Sequence, residues 1–582
     1  AILASESLTE TDDSYELNGS FSDLSIPATL QDSLMARLDK APTVREVAQL
    51  GAVFGREFPY DMLNAVGVIE ETALRDGLGQ LVDADLLYQR GRPPRAKYMF
   101  KHALIQDAAY QSLLKRTRQH YHREVAALLS NQFAEIVDPH PEILAHHYSE
   151  AGDKGQAIDY WLRAGQMALQ RSANHEAIGH LNKGLALLPE GDEKASQELA
   201  MQRMLGSALM ATKGYGAPEV AETFDRARKL CAFVQDDSIY PVMFGVWVSA
   251  VTRGEHASAV ETAVEMHQLV ARTDDAYAKI TANMMLGVAY LHIGKLLDAR
   301  DQFDAGKRIS ETVGIKESSE NALLYGLDIT ATGYAYGAWC EWLLGCPETA
   351  LERSRLALAS VEISQHGYTS SRALYWCAVV HQLCGDWRKV SDLTEVAVGK
   401  AREHGLTMVV AVARIMHAAA QSALHGGGGQ SPEITEALVA YAATGARFQA
   451  PYHHTLLAEL HLRDGEIDAG LEIVTRAQLM IQENGEIYFG AEICRLKGEL
   501  LLADEDRRGE AEGCFEQALE TARSQNAKSL ELRAAGSLAR LWNGQGKRSE
   551  AHDLLAPVYG WFTEGFETAD LRAAKQLLDE LA

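Results

Sequence analysis

One stretch of the sequence reads Leu286-Gly287-Val288-Ala289-Tyr290-Leu291-His292-Ile293-Gly294-Lys295-Leu296-Leu297-Asp298-Ala299-Arg300-Asp301-Gln302-Phe303. Apolar residues recur at helical spacing on both sides of Gly294, which predicts two helices joined by a tight turn. Glycine is the residue that most readily ends a helix, and a small residue such as Ala299 lets the second helix pack closely against the first. The stretch therefore predicts a pair of antiparallel helices.

The same pattern recurs along the chain. A glycine is followed five residues later by a small apolar residue at Gly152/Ala157, Gly254/Ala259, Gly294/Ala299, Gly345/Ala350, Gly385/Val390 and Gly546/Ala551. Equal steps of forty residues run from Ala259 to Ala299, from Ala350 to Val390 and from Ala511 to Ala551. A fixed step of this length is typical of a repeat protein, in which each helix pair stacks on its neighbours.

The residues around these turns resemble the tetratricopeptide repeat. Its pattern is followed by Leu286-Gly287-x-x-Tyr290 before Ala299-x-x-x-Phe303, by Leu144-Ala145-x-x-Tyr148 before Ala157-x-x-x-Trp161, and by Leu538-Ala539-x-x-Trp542 before Ala551-x-x-x-Leu555. The step exceeds the roughly 34 residues of that repeat, which predicts longer helices. The resemblance implies an all-α, tetratricopeptide-like α-solenoid superhelix over residues 136–582, with about eleven helix pairs. A protein, peptide or small effector is expected in its concave groove, although one sequence does not identify the binding residues.

Residues 41–135 have a different texture, with shorter helices and a hairpin. The predicted helices span residues 44–53, 59–66 and 71–86, and the predicted strands span 87–90 and 97–100. Three helices followed by a hairpin predict a small winged-helix domain with a connecting helix. Between Glu70 and Leu86 five acids face a single base, which is the wrong sign for docking on DNA phosphates.

The hairpin is followed by Phe100-Lys101-His102-Ala103-Leu104-Ile105-Gln106-Asp107-Ala108-Ala109-Tyr110. This stretch resembles the Met-His-Asp region of signal-transduction ATPases with numerous domains, in which the histidine contacts the β-phosphate of bound ADP. The match rests on His102, Leu104 and Asp107, whereas Ala103 replaces the motif's own aspartate. The resemblance implies that His102 senses the nucleotide. The alternative is a histidine that caps or packs against the start of a helix.

Residues 1–40 resemble the end of the helical lid of such an ATPase, followed by a linker. The resemblance implies that the chain is a piece of a longer protein, with a nucleotide-binding core upstream. ADP or ATP is then expected in the parent protein, and no cofactor is expected in this chain.

The order of these segments is similar to the C-terminal region of bacterial multidomain class III adenylate or guanylate cyclases with a STAND/AAA-type ATPase module. Two stretches outside the repeat positions support the similarity, residues 211–220 and 560–571. It implies a regulatory, sensor and protein-interaction region of a signalling ATPase that controls a nucleotide cyclase. The alternatives are the sensor region of a maltose-regulator-like transcription activator and a stand-alone repeat adaptor. Residues 573–582 form an ordinary helical pattern, which disfavours a C-terminal DNA-binding domain.

The sequence predicts no catalytic or metal-binding residue. Only the resemblance implies that the parent protein is a nucleotide cyclase, which is a lyase. Gly546-Lys547-Arg548-Ser549 lacks the leading glycine of a phosphate-binding loop, because Leu541 stands at that position. Cys377, His381 and Cys384 share one helical face, but they lie just before a repeat turn, which favours core packing over a metal site.

Composition narrows the partners and the compartment. Lys and Arg number 55 against 80 Asp and Glu, a net charge of −25, which disfavours nucleic acid and anionic membrane surfaces. The 7 cysteines include no Cys-x-x-Cys pair, as expected for reduced thiols. With no signal-peptide pattern and no long uninterrupted apolar run, the sequence predicts a cytoplasmic protein without nucleic-acid or membrane partners. It leaves the oligomeric state open.

Overall fold

A computed structural model describes the chain over residues 8–11, 14–17, 38, 42–171, 173–189, 191, 194–234, 239–313, 325–364, 367–426 and 431–582. The chain divides into two compact units, unit 1 of residues 1–190 and unit 2 of residues 191–582. The predicted lid and linker, residues 1–40, lie outside the described residues apart from two short strands and Leu38.

Unit 1 begins with an antiparallel strand pair and continues with small helices and a second sheet. Its elements are β1 (Leu8–Thr11), β2 (Ser14–Leu17), α1 (Pro42–Phe54), β3 (Glu57–Pro59), α2 (Tyr60–Ala65), α3 (Glu71–Asp83), β4 (Leu87–Arg90), β5 (Lys97–Phe100), α4 (Ala103–Gln111), α5 (Lys115–Gln132), α6 (Ala134–Val137), α7 (Pro141–Ala151), α8 (Lys154–Gln170) and α9 (Asn174–Leu185). The three predicted helices and the hairpin occur in the predicted order. Helix α3 ends earlier than predicted because Asp85 takes a left-handed conformation, φ 61°, that turns the chain into β4.

A third strand joins the predicted hairpin. The antiparallel sheet has the order β3-β5-β4, and β3 is only three residues long, too short to show a strand period in the sequence. Phe58 of β3 and Phe100 of β5 lie 5.7 Å apart between ring centroids, both fully buried. A Cβ on Gly51 of α1 would lie 2.6 Å from the ring of Phe58, so α1 packs directly on the sheet.

The described residues of unit 2 are helical almost throughout. The helices are α10 (Ala195–Lys213), α11 (Pro218–Cys231), α12 (Ile239–Thr252), α13 (His256–Val270), α14 (Ala276–His292), α15 (Leu296–Val313), α16 (Ile329–Leu343), α17 (Pro347–Ser364), α18 (Gly367–Leu383), α19 (Trp387–Glu403), α20 (Thr407–His425), α21 (Ser431–Ala443), α22 (Ala450–Asp464), α23 (Ile467–Asn484), α24 (Gly490–Leu501), α25 (Arg508–Ser524), α26 (Lys528–Gly544), α27 (Arg548–Tyr559) and α28 (Ala569–Leu581), with a 3₁₀ turn at Glu505–Arg507. They form nine antiparallel pairs, α10/α11 to α26/α27, followed by α28. With α7/α8 of unit 1, residues 136–582 hold ten such pairs in the described part of the chain.

The turns between paired helices have the glycine conformation and the buried small residue that the sequence predicts. All six predicted turn glycines have left-handed backbones, with φ of 81° at Gly152, 75° at Gly254, 73° at Gly294, 92° at Gly345, 82° at Gly385 and 80° at Gly546. All six residues that follow them by five positions are fully buried: Ala157, Ala259, Ala299, Ala350, Val390 and Ala551. The tetratricopeptide-like helical solenoid is therefore confirmed.

Even- and odd-numbered helices of unit 2 differ in position and in burial. Each even-numbered helix also contacts the next even-numbered one, so these helices line the inside of the superhelix. Twelve of the fourteen residues of α12 are buried, whereas α19 is buried along one stripe only, ending at Ala397 and Ala401. A helix that is apolar on all sides is covered on all sides. The inner helices are thus covered on the face that an open groove would expose.

Helix α20 is the one helix of the described residues that is long and apolar enough to cross a membrane, judged by length and composition. It packs between α19 and α21, and 61% of its apolar window is buried inside the protein. These contacts are those of a core helix in the repeat array.

Candidate functional site

Successive turns of the unit 2 superhelix contact each other. The C-terminal end of an inner helix meets the N-terminal end of the inner helix five pairs later. The amide of Arg447, just before α22, donates to the carbonyl of Thr252 at the end of α12, at 2.7 Å. The amide of Ile487, just before α24, donates in the same way to the carbonyl of His292 at the end of α14, at 3.0 Å. We call this row of contacts the seam.

The two stretches outside the repeat pattern both lie on the seam. In the first, a Cβ on Gly216 would lie 2.9 Å from the carbonyl oxygen of Gly445, so the two backbones touch. In the second, Glu564 accepts a hydrogen bond from the amide of Thr349 at 3.0 Å. These stretches depart from the repeat consensus because they serve contacts between turns of the superhelix.

Aromatic side chains fill the interior that the seam encloses. Trp339 of α16 lies 5.1 Å from Tyr488 and 5.7 Å from Tyr452, between ring centroids, and both tyrosines come from the following superhelical turn. All three side chains are buried, as are Tyr336 and Trp376, and none of the five is more than 3% exposed. The protein's own side chains therefore fill the concave face over these repeats.

A buried carboxylate ties the seam together at Glu486. Its oxygens accept the backbone amide of Gln449 at 2.7 and 2.9 Å, and Nδ1 of His292 lies 3.1 Å from Oε1. Nε2 of His256 lies 3.6 Å from the other oxygen. Burial alone would raise the pKa of Glu486, but the two histidines lower it to about 2, while burial lowers the pKa of His292. The carboxylate of Glu486 is therefore ionised at neutral pH.

The guanidinium of Arg372 in α18 is also buried, with 7% exposure. Its Cζ lies 4.4 Å from the ring centroid of Trp376 and 5.4 Å from that of Tyr368, with the rings of Phe448 and Tyr215 just under 6 Å away, at 5.8 and 5.9 Å. Among the residues that the structure describes, it donates to the hydroxyl of Tyr368 and forms no salt bridge with a carboxylate. Cation–π contacts with four rings stand in place of an acidic partner.

A polar cavity of about 280 Å³ lies among the inner helices of unit 2. It lies between α18, α22, α24, α26 and α28, so it spans both sides of the seam. Its polar lining consists of Gln382, Glu459, Glu492, Arg495, Arg533, Arg540 and Asp570.

Most charged side chains of this cavity are paired in salt bridges. Glu492 is 1% exposed and binds Arg495 at 2.8 Å and Arg533 at 3.3 Å, and Arg533 also binds Asp570 at 2.9 Å. Burial would raise the pKa of Glu492, but the two arginines lower it to about 2. These residues form a fixed ionic wall.

Glu459 differs from the rest of the wall. Within the described ranges its carboxyl group forms no hydrogen bond or salt bridge. Burial and the charge of Glu492 raise its pKa, whereas the charges of Arg495, Arg533 and Arg463 act in the opposite direction with less effect. A carboxyl group in that state gains most from a ligand that brings a positive charge or a hydrogen-bond donor.

His102, the residue predicted to sense a nucleotide, lies at the N-cap of α4 in unit 1. Its side chain is exposed and makes no cap hydrogen bond, and Leu104 and Asp107 are exposed as well. Neither capping nor packing, the two structural alternatives, describes His102. Nucleotide sensing stays a prediction.

The helical face of Cys377, His381 and Cys384, compared above with a metal site, makes packing contacts. Cys377 is fully buried and its Sγ donates to the carbonyl of Ser354 at 3.4 Å, while Nδ1 of His381 lies 3.4 Å from Asp386. In the described part of the chain, the one group of three residues with metal-ligand spacing is His256, His292 and Glu486. No sequence pattern joins these three, because they come from turns far apart in the chain.

Comparison with known proteins adds a distant relative and shared fold. No family model matches the chain. It is 23% identical over 521 residues to an uncharacterized protein of Rhizobium meliloti (strain 1021), a match that covers 88% of this chain and 50% of that protein. The chain thus spans about half the length of the curated relative that it matches.

Several solved structures share the helical-repeat architecture at low similarity. A Rap protein complexed with Competence and Sporulation Factor is 12% identical, with a TM-score of 0.45, over 67% of this chain and 100% of its own. A STAND protein with a tetratricopeptide repeat sensor from Pyrococcus horikoshii is 12% identical, with a TM-score of 0.32, over 72% of this chain and 66% of its own. Yeast Tom70 is 14% identical, with a TM-score of 0.35, over 79% of this chain and 96% of its own. The fold assignment itself rests on the helix pairs and turns described above.

Proposed function

We propose that this chain is the regulatory and sensor region of a larger signalling protein, and that unit 2 binds a peptide, protein or small effector through a positively charged group at Glu459. The observation that carries the proposal is the 280 Å³ cavity with one carboxyl group that, within the described ranges, forms no hydrogen bond or salt bridge. The further proposal of an upstream ATPase that controls a nucleotide cyclase, with unit 1 as its winged-helix connector, rests on the sequence resemblance.

The fixed ionic wall determines which ligand fits. Arg495 and Arg533 are already held by Glu492 and Asp570, so an anionic ligand would have to displace a buried ion pair. Glu459 offers an acceptor that no salt bridge occupies within the described ranges. An amine or guanidinium group bound there forms a charge-assisted hydrogen bond in a poorly solvated site.

The position of the cavity across the seam would allow ligand binding to regulate the closure of the superhelix. Its walls come from helices on both sides of the seam, and Nη2 of Arg533 in α26 donates to the carbonyl of Leu383 in α18 at 3.1 Å. A ligand that touches both sides binds the closed superhelix more tightly than an opened one. It therefore shifts the population toward the closed state.

Calorimetric titration of the full chain with hexapeptides that carry one arginine tests the proposal. The matched probes are the same peptides with citrulline, which keeps the shape and removes the charge. We expect arginine peptides to bind and citrulline peptides to bind at least tenfold more weakly. Glu459→Gln should remove this preference, whereas Glu395→Gln on the exposed face of α19 should keep it. Equal binding of both peptides, or a charge preference that survives Glu459→Gln, contradicts the proposal.

The role proposed for His102 is tested separately. Because its side chain is exposed and uncapped, His102→Ala should leave the melting temperature of the chain unchanged. In the parent protein the same change should alter the retention of ADP after gel filtration. Unaltered retention of ADP contradicts a nucleotide-sensing role.

A further inference from the structure

We propose that His256, His292 and Glu486 form a binding site for a divalent transition metal of the zinc class, which fastens the seam of unit 2. This inference is independent of the cavity at Glu459. The site joins the first residue of α13, the last residue of α14 and the turn before α24.

The donor set suits such an ion. One ligand atom from each residue lies within 4.8 Å of the other two, and all three side chains are buried, with exposures of 1% or less. Two imidazoles and one carboxylate are a frequent donor set for zinc, and three protein ligands leave a fourth position for water or another group. Hard cations such as magnesium or calcium prefer all-oxygen sites, so the imidazoles favour the zinc class over them.

The spacing of the donors also suits a shared ion. Nε2 of His256 lies 3.6 Å from Oε2 of Glu486, too far for a hydrogen bond. Two atoms bound to one metal at bond lengths of about 2.0–2.2 Å and a tetrahedral angle are roughly 3.4 Å apart. The imidazole centroids of His256 and His292 are 4.9 Å apart, and rings that share a tetrahedral metal have centroids roughly 5 Å apart.

The two histidines have ring nitrogens without hydrogen-bond partners. Neither ring nitrogen of His256, nor Nε2 of His292, has a hydrogen-bond partner among the described residues, although all three atoms are buried. Leaving such groups without a partner is costly, and metal coordination is one way to engage them. The amide of Gln449 holds both oxygens of Glu486, which fixes the carboxylate as a second-shell partner does in metal sites.

A metal ion bound at this site would stabilise the closed seam. The ligands come from the two sides of the seam, so an ion bound to all three links successive superhelical turns. It binds only while the seam is closed. Metal should therefore favour the closed superhelix by mass action.

The test uses the full chain freed of metal with EDTA and then titrated with Zn²⁺ against a chelating dye, and with Co²⁺ followed by visible absorption. We expect one tight equivalent of Zn²⁺ per chain, a raised melting temperature, and the intense absorption of four-coordinate Co²⁺. His256→Asn and Glu486→Gln should each remove this equivalent. His461→Asn should retain it, since it removes a histidine from a comparable histidine–glutamate pair, His461 with Glu466 at 2.6 Å.

Circular dichroism checks that each variant folds. If His256→Asn and Glu486→Gln fail to fold, the Co²⁺ spectrum of the unaltered chain decides, because weak six-coordinate absorption indicates exposed histidines and overturns the proposal. Retention of the tight equivalent in both variants, or absence of any tight equivalent in the unaltered chain, overturns it as well.

Discussion

Gly216 and Gly445 meet backbone to backbone across the seam of unit 2, where a Cβ on Gly216 would lie 2.9 Å from the carbonyl oxygen of Gly445. The contact joins the loop after α10 to the loop after α21. A backbone cannot move aside as a flexible side chain can. Glycine at position 216 is therefore required by the close approach of two superhelical turns.

Gly216→Ala is expected to lower the free energy of unfolding of unit 2 by about 1–3 kcal/mol, because the added methyl group overpacks a backbone contact. Urea denaturation followed by tryptophan fluorescence measures this, since all but one of the 8 tryptophans lie in unit 2. The matched control is Gly399→Ala in α19, where a Cβ meets nothing within 4 Å. The control should be neutral or stabilising by up to about 1 kcal/mol. Equal effects of the two changes would show that Gly216 makes no close contact.

Glu492→Gln is expected to destabilise unit 2 by about 3–5 kcal/mol, because it leaves Arg495 and Arg533 buried without their shared carboxylate. The same urea titration measures the loss. Glu510→Gln is the control, since Glu510 forms an exposed ion pair with Arg507 and the change should leave stability nearly unaltered. A small loss in Glu492→Gln would mean that the ionic wall is solvated.

Acid should weaken unit 1 through two buried histidines. Nδ1 of His122 lies 2.9 Å from Nδ1 of His147, and burial lowers the pKa of each from 6.5 to about 3. A lowered histidine pKa means that the unfolded chain binds more protons, so this contribution is present above pH 6.5 and is lost as pH falls toward 3.

The ¹⁹F resonance of 5-fluorotryptophan at Trp161 reports on unit 1, because Trp161 is its one tryptophan. Its unfolding temperature should fall as pH is lowered below 6.5. In His147→Gln the fall should be shallower, since one titrating group is gone. An unfolding temperature that is constant between pH 6.5 and 4 would show that the two rings are accessible to water.

The helix pairs could be predicted from the sequence because their signal is local. Gly294 and Ala299 lie five residues apart, and the turn between them fixes both the left-handed glycine and the buried alanine. Strand β3 could not be predicted, because three residues show no period. The filling of the concave face could not be predicted, since nothing local indicates that Trp339 packs against Tyr488 of the next turn.

The candidate sites were missed for the same reason. Glu486 follows a turn glycine and Glu459 lies in an ordinary helical pattern, so each looks like a surface residue in the sequence. Their roles arise from contacts across the seam, between segments far apart in the chain. The one usable signal was the pair of stretches that depart from the repeat consensus, and both lie on the seam.

The superhelix of unit 2 closes on itself through the seam, and hydrogen exchange of two backbone amides tests this closure. The amides of Arg447 and Ile487 lie in loops and find their acceptors, Thr252 and His292, only across the seam. We predict that both exchange as slowly as core helix amides of unit 2, because opening them requires separation of the superhelical turns. Exchange of both amides at the rate of an unstructured peptide would contradict the closed superhelix.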